Sequence, residues 1–462
     1  MAAVYPAQPV PMMMTFSMRK GGWEGKKGRG RWKAWPGVQP TLFTDSLLEF
    51  ATSRLISKIT TMSNPAPDAK ASRKSLATLF FCTAIPMGMW SVPLANVFNA
   101  HGRGHLVPWV FATTATAAFI SPLFVGALAD QKHSPVLLLR WLTAATSMAL
   151  LLTCGSLAWG WSDAVVLICA QMLALVALPA WSVTSSIVFS QLHDAKVQFG
   201  PLRAWATGGW MVGCWIVSFV LRADASLVAG VTAAGLWLVV MTLTWRLPMI
   251  PPGEIVQHRT WKQVLGLDAL GLLIHRDHRV VFLTAALYCI PLAAFYPYTS
   301  RQLHDLGVQH ISAVISIGQT TEVVVMLLLS GLLTRFRLKW VFLSGIAICV
   351  VRYSLNTFNT LPSVVFGTFL HGFAYTLYFI TTQIYLEERI DPKWRVRAQA
   401  LLAMLMSGVG NLLGYLGGGW WFDACTVGKT TDWPRFWWGE TALTALVCVF
   451  FAVAYRGRAA KA

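Results

Sequence analysis

From residue 75 onward, apolar runs return along the whole chain, each long enough to cross the roughly 30 Å hydrocarbon core of a bilayer as a helix. Twelve can be placed, at about residues 76–98, 107–129, 135–157, 163–189, 199–221, 226–246, 280–300, 311–333, 338–358, 361–386, 397–421 and 436–455. Lipid offers no partner to a backbone N–H or C=O, so such segments must satisfy those groups internally, which helices do. The chain is 55% hydrophobic and 12% charged, against about 25% charged for a soluble domain, and its mean hydropathy is +0.55. The expected fold class is an all-α polytopic membrane protein with twelve transmembrane helices.

The net charge of +18 invites a nucleic-acid reading, but its distribution argues otherwise. Twelve Lys/Arg precede residue 75, and seventeen more fall in segments that an N-inside topology makes cytoplasmic: near Lys132 and Lys196, within 246–279, 335–339 and 389–397, and at the C-terminus. Only five (Arg103, Arg222, Arg301, Lys429 and Arg435) fall on the other side. Lys and Arg collect on the cytoplasmic side of membrane proteins, so both termini are expected there. The charge orients the chain in its bilayer; no nucleic-acid partner is expected.

Seven of the eight cysteines lie in apolar segments, and Cys425 in an outward loop has no loop partner, so no disulfide is expected. The histidines are scattered, no CxxC or HExxH occurs, and no Gly-rich loop follows a strand. Neither a metal nor another cofactor is expected, nor an enzyme's nucleophile–base pair.

Residues 1–74 differ from the rest, mixing Pro, Gly, Trp and basic clusters (MRKGGWEGKKGRGRWK) without a spanning run. This is not the design of a secretory signal. Met62 is followed by a short polar leader and then the first span, which points to a translation start near Met62. The alternative is a disordered basic tail lying on anionic lipid.

Six spans (75–246), a polar connection (247–279) and six more spans (280–462) suggest two halves, the plan of the major facilitator transporters, whose halves are parallel repeats. The fifth span opens with Arg203-Ala204 and runs through Gly208, Gly209 and Gly213; the eleventh opens with Arg397-Ala398 and runs through Gly408, Gly410, Gly414 and Gly417–Gly419. Small residues at such spacings let helix backbones approach closely. The loop GALADQKHSP resembles that superfamily's cytoplasmic motif, with Gly126, Asp130 and Lys132 in place and the basic half degraded to His133-Ser134-Pro135. The resemblance implies a gating role for Gly126 and Asp130.

One span breaks the apolar rule. VISIGQTTEVVVMLLLSGLL, residues 314–333, holds Gln319 and Glu322 near its middle. A charged residue at mid-span costs roughly 2.5–3.5 kcal/mol on insertion scales, so such residues usually line a cavity or pathway. Ser316, Gln319 and Glu322 are each three apart and share one stripe of the helix. His371 and Tyr375, four apart, share another. Of the nineteen acids, only Asp163, Glu322 and Glu440 fall within a predicted span; Asp163 is the first residue of its own, and Glu440 is near the outer edge of its own.

Longer blocks carry a closer resemblance. FGPLRAWATGGW (199–210), LPMIPPG (247–253), WKQVLGLDALGLL (261–273), SIGQTTE (316–322), LHGFAYTLYF (370–379) and RAQALLAMLMSGVGNLLG (397–414) resemble, in order, the nucleoside:proton symporters. That resemblance covers about residues 75–455. It implies that Arg203 and Thr207 face the substrate, that Gln319 and Glu322 are the family's Gln-x-x-Glu pair, that Tyr375 is its tenth-helix aromatic, and that Trp90 is its first-helix tryptophan. The family usually carries an aspartate after that aromatic; here the residue is Thr376, which can neither hold charge nor transfer a carboxyl proton.

The chemistry suits a nucleoside. Stacking on an aromatic is worth about 1–3 kcal/mol per base and tolerates different bases, which suits Tyr375 or Trp90. Ribose hydroxyls need polar partners in a mostly apolar site, which Gln319, Glu322 and His371 can supply. Glu322, the acid nearest mid-span, is the candidate proton carrier. The expected function is proton-coupled nucleoside import across the inner membrane by alternating access, in a monomer. A symporter for a sugar, glycoside or other polar solute is the first alternative, and a non-transporting membrane sensor or scaffold the second. Plainer roles stand beside these: a snorkelling anchor for Arg203, Arg140 and Arg352, a helix–helix contact for His371, an interfacial belt for Tyr296 and Tyr298, and a structural ion pair for Glu322.

Overall fold

The computed structural model describes residues 72–129, 134–192, 195–250 and 260–457. Their long helices fall where hydropathy places them. We number them α1 (Arg73–Ala100), α2 (Val107–Ala129), α3 (Pro135–Ala158), α4 (Asp163–Ser190), α5 (Ala195–Trp215, continued by Ile216–Leu221), α6 (Leu227–Arg246), α7 (Arg276–Asp305), α8 (Ile311–Arg335), α9 (Leu338–Asn356), α10 (Leu361–Arg389), α11 (Pro392–Ala424) and α12 (Trp433–Ala454). Among the described residues, all except α2 contain a stretch long and apolar enough to cross a membrane; α2, at 23 residues, occupies the second predicted span.

The largest boundary differences have a local cause. The eleventh helix begins at Pro392 rather than near 397, because Asp391 accepts the N–H of Lys393 at 3.0 Å and Pro392 stands at the first helical position. Both are helix-start signals, but in a charged stretch that hydropathy passes over. The seventh helix likewise begins in polar sequence, at Arg276.

Outward faces carry large apolar side chains such as Leu327, Val453 and Trp141, as a lipid-facing surface requires. Buried apolar residues form two main clusters, one drawn mostly from the first six helices and one from the last six. Glycine sets how the halves are built. Gly209 of α5 lies against the carbonyl oxygen of Phe81 in α1, and a Cβ there would collide with backbone. On α11, Gly414 meets the carbonyl oxygen of Ile290 in α7 in the same manner. The fifth and eleventh helices therefore hold the same relation to the first and seventh; the glycine spacing suggested close approach but not which helices meet.

Four wide π turns interrupt these helices: Ile216–Leu221 in α5, Phe295–Thr299 in α7, Thr376–Ile380 in α10 and Met404–Gly410 in α11. Such turns are rare and often sit at functional sites.

Polar contacts between the halves gather at the end that carries the 101–106, 222–226 and 306–310 connections. Asn96 Nδ2 of α1 donates to Ser300 Oγ of α7 at 2.9 Å. Asp224, after α5, accepts the N–H of Ser312 at 2.6 Å, and Ser218 Oγ accepts that of Ala313 at 3.0 Å. Two of the orphan N–H groups at the start of α8 are thus capped from the opposite half. At the other end, a helical turn (Trp261–Val264) and a 3₁₀ segment (Leu267–Ile274) lie within the stretch expected to be a loop, and Asp268 pairs with Arg397 of α11 at 2.8 Å.

Candidate functional site

The mid-span polar residues converge. Gln319 and Glu322, one turn apart on α8, are both buried. Gln319 Nε2 donates to the hydroxyl of Tyr296 on α7 at 3.3 Å. Behind Glu322, α10 approaches so closely that a Cβ on Gly372 would strike the backbone nitrogen of Glu322. Across the interface stands Arg203 of α5, near enough for its charge to act on the Glu322 carboxyl. Its guanidinium lies 5.1 Å over the Trp181 ring of α4, and Nη1 reaches toward Thr207 Oγ1 at 3.5 Å. Arg203 is thus held from within the protein rather than by snorkelling, and its charge acts on Glu322 from the opposite half without an ion-pair contact.

An aromatic wall continues from Gln319. His371 stacks on Phe295 with ring centres 4.2 Å apart and an interplanar angle of 16°. Tyr296 meets it edge-on at 6.1 Å, and Tyr375 lies 6.3 Å away, nearly parallel. Tyr296 also touches Trp210 of α5 edge-on at 6.3 Å. Tyr375 is only half-buried, and its ring also meets Phe379 with ring centres 5.0 Å apart. Thr376 is fully buried, and its hydroxyl has no hydrogen-bond partner.

Behind the wall lies Arg352 of α9, completely buried. Its Nη1 donates to His371 Nδ1 at 2.8 Å, and its guanidinium sits 4.1 Å from the Phe295 ring and 4.6 Å from that of Tyr353. The snorkelling expected for Arg352 is therefore wrong: Phe295, Tyr353 and His371 enclose it. Arg140 also keeps to the protein, donating to Thr244 Oγ1 at 3.0 Å and lying over Trp245. Nor do Tyr296 and Tyr298 form an interfacial belt; both are buried, Tyr298 against Phe422 and Phe436. Hydropathy reads how deep a residue sits but not which way its helix turns it. The π turn around Pro297 points both tyrosines inward.

The remaining expectations divide. His371 is a helix–helix contact, as the plainer reading had it, and is also part of the cluster. Ser316 shares the stripe, but its Oγ accepts from Trp215 Nε1 of α5 at 3.0 Å. One edge of the Trp90 ring, with Cys154 Sγ, crowds Gly230 of α6. Its first-helix position says nothing of which neighbour it faces. Asp130 lies outside the described residues, and Gly126 is described only as backbone of α2. Glu440 is buried on α12, with no hydrogen-bond partner for Oε2. Phe295, Tyr296 and Arg352 were missed as site residues; the Pro297 break was the available signal.

Comparison with known proteins agrees with this geometry. The sequence profile of the nucleoside H+ symporters matches residues 72–460. The chain is 28% identical over 405 residues to a putative nucleoside transporter, YegT, of Escherichia coli K12, covering 82% of this chain and 93% of that protein. It is 26% identical over 396 residues to the nucleoside permease NupG of the same organism, covering 80% and 91%. The crystal structure of NupG superposes with a TM-score of 0.75 at 21% identity, over 83% of this chain and 99% of that one. With twelve helices in two halves, polar groups meeting between them and a family profile matched over residues 72–460, the chain belongs to the nucleoside H+ symporter family.

Proposed function

We propose that this member of the family moves a nucleoside and a proton inward through the one central site between its halves, and that Glu322 carries the proton. The observation that carries this reading is the placement of Glu322: buried on α8, one turn from Gln319 and facing Arg203 of the other half. A proton taken up or released there changes an electrostatic interaction between the two bodies that must rock. Tyr375, the half-buried ring of the wall, stacks the base; Gln319 and Glu322 meet the ribose; Thr207 and Arg203 close the site from α5.

The excess of Lys and Arg in the loops on one side supports an orientation with both termini in the cytoplasm, in an inner membrane. The end capped by Asp224 and Ser218 is then outer, so the state described here is shut to the outside. On this reading residues 75–246 and 280–462 are the rocking halves of a monomer, and the turn holding Gly126 and Asp130 belongs to the inner gate.

The test is uptake of labelled uridine and adenosine into liposomes that hold the purified protein, with and without a pH gradient. Accumulation that needs the gradient supports the reading. Accumulation of a pentose or glycoside but of no nucleoside would favour the polar-solute alternative. Binding without any uptake would leave a sensor.

A further inference from the structure

Charge in this bundle does not balance. Within the described spans stand Arg203, Glu322 and Arg352. Arg203 and Glu322 act on each other electrostatically, beyond ion-pair distance. Arg352 has no such counterpart: it is completely buried, and among the described residues no carboxylate lies within ion-pair distance of it. Glu440, the other buried acid of this half, sits beside Tyr298 and Gly418 on α12 and is not paired with it. A guanidinium cannot shed its proton inside a protein. Two aromatic faces offset part of the cost, but a buried unpaired charge remains unfavourable until something answers it.

The hydrogen bonds point the same way. Because a guanidinium only donates, Nδ1 of His371 must accept from Arg352, and the ring proton then resides on Nε2. His371 Nε2 and Arg352 Nε are both buried with no hydrogen-bond partner. Two donors and one fixed positive charge therefore wait for an acceptor beside the rings of Phe295, Tyr296 and Tyr375.

We infer that the site is built for nucleosides whose base carries a negative charge, with Arg352 as the positioning residue that selects them through His371. This rests on the nucleoside reading above and narrows it. The charge belongs on the base because the donors lie along the aromatic wall, whereas a phosphate on the ribose would be brought toward Glu322. A neutral base can accept from His371 through a carbonyl, but it leaves the guanidinium uncompensated.

The full chain in liposomes, given uridine, 5-carboxyuridine and uridine 5′-monophosphate, tests this. Uridine and 5-carboxyuridine share ribose and ring and differ by one carboxylate. We expect the KM for 5-carboxyuridine to be lower than that for uridine by on the order of tenfold, as an added charge interaction in a partly screened interior allows. Uridine 5′-monophosphate should gain nothing over uridine. Arg352→Gln should bring the uridine to 5-carboxyuridine KM ratio to about one, whatever its absolute rate, and Arg352→Lys should restore much of the preference. Equal KM values in the unaltered protein, or a preference that survives Arg352→Gln, would overturn the inference while leaving the nucleoside reading intact. So would a preference for the monophosphate, which would put the charge reading at the ribose end. Failure to take up any of the three would instead count against the proposed function itself. If Arg352→Gln does not fold, the comparison of the three solutes in the unaltered protein still decides.

Discussion

Ser312 gives its backbone N–H to Oδ1 of Asp224 across 2.6 Å, and the two residues come from opposite halves of the transporter. The bond is a helix cap supplied in trans. It exists only while the halves are together at this end, so its loss should favour their separation. A side-chain cap is worth about 0.5–2 kcal/mol. In Asp224→Ala we expect a cysteine substituted at Gln319 to be alkylated from outside severalfold faster by a membrane-impermeant reagent. An unchanged rate would show that the cap does not hold the closed state.

The Asn96–Ser300 contact at the same end allows a harder test. Cysteines at both positions should cross-link under oxidation and stop transport, and a reductant should restore it. Transport that continues with the cross-link formed would mean that these ends need not part.

Glu322→Gln keeps size and hydrogen bonding but holds the position neutral. Accumulation driven by a pH gradient should be abolished, while exchange of nucleoside across a membrane without a gradient persists at a reduced rate. Should the variant still concentrate nucleoside with ordinary pH dependence, the proton travels elsewhere, and His371 is the next residue to change.

For Tyr375→Leu the readout is a comparison of ligands. Stacking acts on the base, at about 1–3 kcal/mol, so nucleoside affinity should fall roughly tenfold or more while competition by free ribose barely moves. Equal losses for both would remove Tyr375 from base recognition.

Gly372→Ala probes the packing behind the acid. The added methyl would meet the backbone nitrogen of Glu322 and the side chain of Thr321, and overpacking of this kind typically costs about 1–3 kcal/mol. A lower thermal midpoint in detergent is expected, together with weakened proton coupling, because α8 must shift and Glu322 with it. A midpoint and coupling equal to those of the unaltered protein would show that the helices part there without consequence.

Hydropathy alone made the spans legible, because crossing lipid imposes a length and a composition that few sequences meet by chance. The α8 stripe was legible as well, since Glu322 and Gln319 are costly at mid-span and a three-residue spacing fixes their common face. What could not be read was rotation. Tyr296, Tyr298 and Arg352 occupy depths that suit an interfacial belt or a snorkelling chain, and only packing decides that they turn inward. For Trp90 likewise, a position matching a family tryptophan says nothing of the glycine in α6 that makes room for its ring.

The four π turns have a consequence for how such a molecule can move. Each is a helix holding one residue more than its hydrogen-bond ladder needs, and one residue corresponds to about 100° around the axis. Tyr296 lies inside one of these turns, and Tyr375 borders another. Handing the surplus residue along the helix by a few positions would spin an aromatic ring out of the wall without lengthening, shortening or tilting the helix. Such a helix behaves like a camshaft as well as a lever, so the grip on a solute can loosen by local rewinding while the bodies around it stand still.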